Sequence, residues 1–221
     1  MTVRFETQPD LEAAITTLVA QDARLGPVLA AAGMPALRRR PAGFSGLAAI
    51  VTGQQVSTAS AAAIWGRLAT HYDPFEAHRI ARTRATTLAR LGLSQPKIRT
   101  LKALATAVVD GFDLDALVDR PADEAHGMLT ALHGIGPWTA DLYLLFCLGH
   151  ADAFPAGDLA LQEASRIVFA LPARPTARDL GAIADAWRPW RGAAAHLLWA
   201  YYRVAKGREG VLRATATPQP G

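Results

Sequence analysis

The sequence predicts an all-α protein, on three observations. Apolar residues recur at helical spacing through most of the 221 residues, and alternation typical of strands is scarce. Glycine and proline fall mainly between the helical stretches, at 33–35, 41–43, 92 and 171–172. We therefore expect about ten helices packed on one another.

Each predicted helix is marked by a residue typical of helix N-termini or by apolar residues at helical spacing. The first follows Pro9, a favourable first-turn residue, and the second is centred on 47–51. A third begins near Ser94, with Pro96 in its first turn. Their expected inward-facing residues are Leu11, Ile15 and Leu18, then Leu47, Ile50 and Val51, then Leu101, Leu104, Ala105 and Val108. Further helices are predicted near 121–132, 137–149, 158–170, 176–188 and 190–205.

The composition excludes several classes of protein. Apolar residues make up 51% of the chain and charged residues 19%, which argues against disordered and fibrous proteins. A single cysteine, Cys147, rules out an intramolecular disulfide framework and any zinc or iron–sulfur site built from several thiolates. The six histidines form no metal-ligand pattern. The start resembles no secretory signal, and no apolar run nears the ~20 residues that span a bilayer, so we expect a cytoplasmic protein.

The charges are unevenly distributed along the chain. Seven basic residues and no acidic one lie between Arg79 and Lys102, and a second basic cluster is 38–40. Between Asp110 and Glu124 there are six acids and one base. Such a division would suit a polyanion that touches one side of the protein. Charge alone favours the simpler reading of a solvated helix face.

The most informative segment is LHGIGPWTA, residues 132–140, which joins two predicted helices. Gly134 and Gly136 permit positive φ and let another backbone approach closely. Pro137 suits the first turn of the second helix, whose N–H groups and positive dipole end would bind a phosphate oxygen. Ile135 would point inward and fix the hairpin. An ordinary helix–helix turn is the alternative, but the longer pattern favours phosphate binding.

Four segments together resemble the HhH-GPD, or helix-hairpin-helix, DNA glycosylase superfamily, in particular the 3-methyladenine DNA glycosylase II type. LHGIGPWTADLYL resembles the family hairpin, placed here at about 122–149 with its flanking helices. FPAGDLALQEA resembles the stretch with the catalytic aspartate, and its Asp158 lies 22 residues after Gly136. FSGLAAIVTGQQVS resembles the helix beside the lesion, and WRPWRGAAAHLLWAYY the closing helix of the alkylation branch.

The resemblance implies a two-lobed helical fold over residues 1–206, with a central DNA-binding cleft between the lobes. Too little sequence precedes residue 44 for the N-terminal α/β domain of longer relatives. If two lobes form, chain from both ends is expected to build one of them. Residues 207–221 lack apolar periodicity and are predicted to form a flexible tail.

The activity implied is hydrolysis of the N-glycosidic bond of alkylated bases, of the 3-methyladenine and 7-methylguanine type, after base flipping. Asp158 would be the catalytic carboxylate, although its position also suits a simple N-cap. Bifunctional relatives carry a lysine where this chain has Trp138, so we expect a monofunctional enzyme without lyase activity. Trp138 and Trp199 match aromatic positions of the base pocket, and Tyr202, one turn further on, is an additional candidate. Leu142 stands where relatives can carry an aromatic residue.

The remaining expectations concern DNA contacts and partners. Gln55, with Gln54 beside it, would fill the space left by the flipped base, or both are exposed helix glutamines. Other contacts to DNA are expected from His133, Gly134, Ile135, Gly136, Thr139, Lys97 and Arg99. His133 could instead cap the hairpin, and Trp187 and Trp190 are assigned to the core. The expected partner is double-stranded DNA with a damaged base, bound by a monomer that needs no cofactor, although hairpin carbonyls of such folds can hold a monovalent cation.

Two rival functions stay open on the sequence. One is a glycosylase of the same superfamily for deaminated or oxidised bases, which would need more hydrogen-bonding groups in its pocket than the sequence offers. The other is a non-catalytic helix-hairpin-helix module that binds DNA. Asp158 and the tryptophan-rich segment argue against the second rival.

Overall fold

The computed structural model describes residues 3–215, with side chains described through Gly207. Within that range it contains twelve α-helices. They are α1 Gln8–Gln21, α2 Gly26–Ala32, α3 Gly43–Gly53, α4 Thr58–His71, α5 Ala77–Arg82, α6 Ala85–Arg90, α7 Gln95–Val109, α8 Ala122–Thr130, α9 Pro137–Leu142, α10 Leu159–Val168, α11 Ala177–Ala184 and α12 Arg191–Thr215. A π-helix, Tyr143–Leu148, continues α9, and short 3₁₀ turns lie at Ala23–Leu25, Ala116–Asp119 and Asp185–Trp187.

The all-α prediction is confirmed. No strand forms among residues 3–215, where Arg4 and His150 make one isolated antiparallel bridge. The structure has more helices than the ten or so expected, because α2, α5 and α6 hold only six or seven residues each. Such short segments give too few turns for a readable periodicity.

Among the described residues, the first compact unit consists of 3–4 and 38–153, and it contains α3 to α9. Helix α3 buries a continuous face, and α7 packs against both α3 and α5. The π-helix after α9 is buried at every position, which matches its uniformly apolar sequence YLLFCL. It ends at Gly149, whose φ of 76° is the left-handed conformation that favours glycine at a helix C-terminus.

Among the described residues, the second compact unit consists of 5–37 and 154–215, so it combines an N-terminal and a C-terminal segment of the chain. Helix α12 packs against α1, α2 and α10. Its buried alanines at 193–195 allow these helices to approach closely. Trp187 is fully buried between Phe154 and Phe169.

The C-terminal tail was expected to begin at Gly207, whereas α12 extends to Thr215. Residues 216–221, the rest of that predicted tail, lie outside the described residues. None of the described helices has the length and apolar character needed to cross a membrane.

Candidate functional site

The hairpin between α8 and α9 is a tight turn closed by a hydrogen bond from Ile135 N–H to Leu132 C=O, 3.1 Å long. Gly134 is the third residue of this turn and has a φ of 79°, as a type II turn requires at that position. A Cβ at residue 134 would overlap the side chain of Thr100 on α7. Ile135 is 3% exposed and points into the unit as expected. The local structure of the turn therefore depends on glycine at 134.

Gly136 differs from what its sequence position suggested. Its φ is −86°, so it does not use the positive φ expected of both glycines. A Cβ at residue 136 would meet no atom within 4 Å. The N–H groups of Gly134 and Gly136 make no hydrogen bond within residues 3–215. Both glycines are exposed, so these two amides can donate hydrogen bonds to an oxygen atom of a ligand.

Thr139, in the first turn of α9, makes its hydrogen bonds inside the first unit. It is 2% exposed, and its hydroxyl accepts a hydrogen bond from Gln54 Nε2 at 2.7 Å. Its N–H donates to Gly136 C=O at 3.0 Å, as does the N–H of Ala140. The structure gives no support to the contact to DNA expected from Thr139, because the residue is buried and its hydroxyl already accepts the bond from Gln54.

The turn after α3 places the two glutamines differently. Gln54 is half-buried with its amide on Thr139, whereas Gln55 is exposed. Gln55 has a φ of 53°, in the left-handed region that few residues other than glycine adopt. The two residues are thus not equivalent helix glutamines. Only Gln55 offers its side chain to solvent.

Lys97 and Arg99 lie on the same helix, α7, but in opposite surroundings. Lys97 is 9% exposed, and its ammonium donates to Thr52 C=O at the end of α3, at 2.8 Å. Burial lowers the pKa of Lys97 below its usual value. The structure gives no support to the expected phosphate contact of Lys97, because the residue is buried and its ammonium donates to a carbonyl inside the unit. Arg99 is exposed, as is His133 at the hairpin.

Part of the basic stretch 79–102 also acts within the unit. Lys102 donates to the carbonyls of Ala81 and Thr83 at the end of α5, at 2.9 and 2.7 Å. Arg79 donates to Pro74 C=O. Arginines 82, 84, 90 and 99 are exposed. Fewer basic side chains of the stretch 79–102 are therefore exposed than the sequence suggested.

Asp158 is the N-cap of α10, in the second unit. Its Oδ1 accepts hydrogen bonds from the N–H groups of Ala160 and Leu161, at 3.0 and 3.2 Å. The same oxygen accepts from the indole Nε1 of Trp199 at 3.0 Å. Asp158 is half-buried. It does act as an N-cap, the role that the sequence offered as the alternative to catalysis. The three donors hold the carboxylate in one orientation, at the positive end of a helix dipole.

Trp199 was expected only as an aromatic residue of the base pocket. Its hydrogen bond to Asp158 was not predicted from the sequence. The two residues are 41 positions apart, and no sequence signal marked the contact. Tyr202 follows one turn later on α12 and is half-buried, with Lys206 Nζ 5.4 Å from its ring centre. Trp138, in the first unit, is half-buried in the first turn of α9.

The other aromatic positions behave as packing residues. Trp187 is fully buried, and its Nε1 donates to Asp22 Oδ2 at 2.9 Å. Trp190 is half-buried. Leu142 is 7% exposed, and the neighbouring Tyr143 is fully buried with its hydroxyl accepting from Gly43 N–H. Burial raises the pKa of Tyr143 well above its usual value.

Among the described residues, no group of three or more His, Cys, Asp or Glu side chains could hold a metal ion. The hairpin carbonyls of Leu132 and Gly136 each accept hydrogen bonds from within the segment. A carbonyl oxygen has two lone pairs, so the Leu132 carbonyl keeps one for a monovalent cation.

Comparison with known proteins gives matches to DNA repair proteins along most of the chain. A model of the HhH-GPD superfamily base excision DNA repair protein matches residues 48–189. A probable bifunctional transcriptional activator/DNA repair enzyme AlkA of Mycobacterium tuberculosis is 39% identical over 160 residues, which covers 67% of this chain and 31% of the relative. A DNA-3-methyladenine glycosylase of Bacillus subtilis is 30% identical over 129 residues, 58% of this chain and 42% of the relative. The chain thus spans less than half the length of these two curated relatives.

Solved structures match a larger share of both chains. The crystal structure of a DNA-3-methyladenine glycosidase from Bacillus halodurans has a TM-score of 0.79 and 26% identity, covering 96% of this chain and 99% of that one. The 3-methyladenine DNA glycosylase Mag1 of Schizosaccharomyces pombe, in complex with abasic DNA, has a TM-score of 0.76 and 26% identity, covering 85% of this chain and 95% of that one. These likenesses agree with the all-α fold. Because the family match spans more than half of the chain, the protein belongs to the HhH-GPD superfamily of base excision DNA repair proteins.

Proposed function

We propose that this protein is a monofunctional DNA glycosylase, which hydrolyses the N-glycosidic bond of alkylated bases in double-stranded DNA and acts as a monomer. The observation that carries the proposal is Asp158, a half-buried carboxylate held by two backbone amides and the Trp199 indole. The names of the relatives, DNA-3-methyladenine glycosylases, support the choice of substrate.

Asp158 would act on the sugar of the flipped nucleotide. Cleavage of the bond between C1′ and the base nitrogen leaves positive charge on the sugar, and a nearby carboxylate stabilises it. The same carboxylate can orient the attacking water and take up its proton as the new C1′–O bond forms. The bonding pair leaves with the base. An alkylated purine is already cationic, so its departure needs no general acid.

Trp199 supplies an aromatic face beside the carboxylate. A cationic base attracts an electron-rich indole by roughly 0.5–2 kcal/mol through stacking and cation–π interaction. Tyr202, one turn further along α12, is a second aromatic candidate in the same unit. Together they favour alkylated bases over neutral lesions, because neither supplies a pattern of hydrogen bonds specific to a neutral base edge.

The hairpin would hold the DNA backbone through the exposed amides of Gly134 and Gly136. A phosphate oxygen can approach these amides because neither residue carries a Cβ. Arg99 and His133, both exposed, are proposed to contact further phosphates. Gln55 is proposed to occupy the space that the flipped base leaves, at a cost for flipping of about a few kcal/mol.

Trp138 is the basis for proposing hydrolysis without strand cleavage. By resemblance, it stands where bifunctional relatives place the lysine that forms a Schiff base with C1′. An indole has no nucleophilic amine, so no covalent intermediate would form. The test is sodium borohydride treatment during turnover. Recovery of a stable adduct between protein and DNA would contradict the proposal.

The central experiment is base release from duplex DNA methylated at random, with the freed bases identified by chromatography. Wild type should release alkylated purines, and Asp158→Asn should release none while still binding DNA, because asparagine keeps the N-cap. The matched control is Asp22→Asn, which alters another capping carboxylate bonded to an indole in the same unit. Asp22→Asn should excise normally. Normal excision by Asp158→Asn would show that Asp158 is not the catalytic residue. Release of only deaminated or oxidised bases by wild type would favour the rival substrate class.

A further inference from the structure

The turn between α3 and α4, residues 54–57, holds its exposed glutamine in an unfavourable conformation. Gln55 has a φ of 53°, which costs roughly 1–2 kcal/mol for a residue with a Cβ. Such a conformation persists when the surrounding structure fixes it. Three contacts from neighbouring elements fix this turn.

Lys97 provides the first anchor, from α7. The last carbonyls of a helix have no partner within the helix, and a lysine can supply one. Lys97 Nζ donates to Thr52 C=O at 2.8 Å, two residues before the turn begins, and the lysine is 9% exposed. A buried ammonium on this carbonyl holds the end of α3 against α7.

Gln54 provides the second anchor, to α9. Its Nε2 donates to Thr139 Oγ1 at 2.7 Å across a sequence separation of 85 residues. Thr139 is 2% exposed and lies three residues after Gly136. The side chain directly before Gln55 is thus tied to the helix that the hairpin opens.

Thr100 connects α7 to the hairpin itself. It lies one turn after Lys97, is 7% exposed, and packs so closely on Gly134 that a Cβ there would overlap it. One face of α7 therefore supports both the end of α3 and the hairpin. The three contacts join the turn and the hairpin within the first unit.

We propose that Gln54 and Lys97 are positioning residues, which fix Gln55 at a set distance from the hairpin amides instead of contacting DNA. The inference rests on the function proposed above. A phosphate held by the hairpin then places one particular nucleotide at Gln55. Loss of either anchor should leave binding to undamaged DNA largely intact and weaken recognition of a site that lacks its base.

The test compares the affinity of full-length protein for two duplexes of one sequence, one undamaged and one with a stable tetrahydrofuran abasic-site analogue. The ratio of the two affinities measures discrimination. Gln55→Ala should lower this ratio. A wild type that shows no preference for the analogue would refute the proposed function itself, before any variant is compared.

Gln54→Met keeps the length of the side chain and removes the amide donor. Loss of one hydrogen bond should lower discrimination about fivefold. Thr139→Val, which removes the acceptor, should give the same loss. In a Gln55→Ala background, Gln54→Met should have little further effect, since Gln54 acts through Gln55. Equal effects in both backgrounds would show that Gln54 contacts DNA by itself, and an unchanged ratio in the single variant would also overturn the proposal.

Lys97→Met has a matched control in Lys102→Met. Both lysines lie on α7, and both donate to carbonyls at a helix end, but Lys102 serves α5. Each variant removes one positive charge, so general attraction to DNA falls equally. Lys97→Met should lower discrimination, and Lys102→Met should leave it unchanged. Urea unfolding reports stability separately, and an equal change of discrimination in both variants would refute the positioning role of Lys97.

Discussion

Replacing Trp199 with phenylalanine tests whether the indole N–H orients the catalytic carboxylate. The change keeps an aromatic face for the base and removes the donor that lies 3.0 Å from Asp158 Oδ1. Two backbone amides still hold the same oxygen, so the carboxylate stays at the N-terminus of α10 but loses its third restraint. We expect excision to slow while the fold persists.

The magnitude follows from the kind of bond removed. Hydrogen bonds to charged groups contribute about 1.5–3 kcal/mol. If that orientation is needed in the transition state, the single-turnover rate constant should fall about 10- to 100-fold. Asp158 and Trp199 are both half-buried, so water can replace the lost donor in the folded protein, and the free energy of unfolding should fall by no more than about 1 kcal/mol.

The second unit offers a matched control in Trp187→Phe. Trp187 also donates its indole N–H to a capping aspartate, Asp22, at 2.9 Å, but it is fully buried. Its replacement leaves a small cavity and removes a donor from a carboxylate, so the free energy of unfolding should fall by about 2 kcal/mol or more. Its excision rate, measured below the unfolding transition, should equal that of wild type.

The assay is single-turnover release of 7-methylguanine from a defined duplex with enzyme in excess, together with urea unfolding of each variant. The expected result is a crossed pattern, in which Trp199→Phe loses rate and Trp187→Phe loses stability. A wild-type rate for Trp199→Phe would refute the orienting role of the indole. Equal loss of rate in both variants would show a general effect on the second unit.

Three further predictions concern the hairpin and the pH dependence of stability. Gly134→Ala should destabilise the protein, because φ is 79° and the Cβ overlaps a side chain of α7, whereas Gly136→Ala should unfold like wild type and only weaken binding of undamaged duplex in a fluorescence titration. The Arg24 guanidinium lowers the pKa of Asp22 from 3.8 to about 2. The ionised Asp22 therefore stabilises the fold by up to about 2 kcal/mol above pH 4, and this contribution is lost towards pH 2. Asp22→Asn should abolish that part of the acid dependence in urea unfolding. Burial lowers the pKa of His150 below 6.5, so the unfolded chain binds the proton first and stability falls as the pH drops through 6.5; His150→Gln should flatten the stability profile between pH 7 and 5, and an unchanged slope would contradict this.

The predicted helices show what periodicity can determine. The helix expected near Ser94 is α7, Gln95–Val109, and that expected near 158–170 is α10, Leu159–Val168. In both, the start was marked by a residue typical of helix N-termini and the inward face by apolar spacing. These signals lie within the helix and its flanking residues, so they can be recognised without knowledge of the rest of the fold.

The site residues divide in the same way. The turn at Gly134 and the cap at Asp158 depend on residues within a few positions, and the sequence located both. The roles of Lys97 and Thr139 could not be located, because their partners lie 45 and 85 residues away along the chain. A lysine near a helix start reads as exposed unless the tertiary structure brings a helix end to it.

By itself, the sequence determined the helical class, the hairpin and the aspartate, since backbone preference and apolar period are encoded in neighbouring residues. Only the tertiary structure decided which polar groups are already occupied. It put the Gln54 amide on Thr139 and the Trp199 indole on Asp158, and it left Gln55 exposed in a left-handed conformation. The physical reason is that a hydrogen bond depends on the positions of both partners, and for distant residues those positions are set by packing of the helices between them.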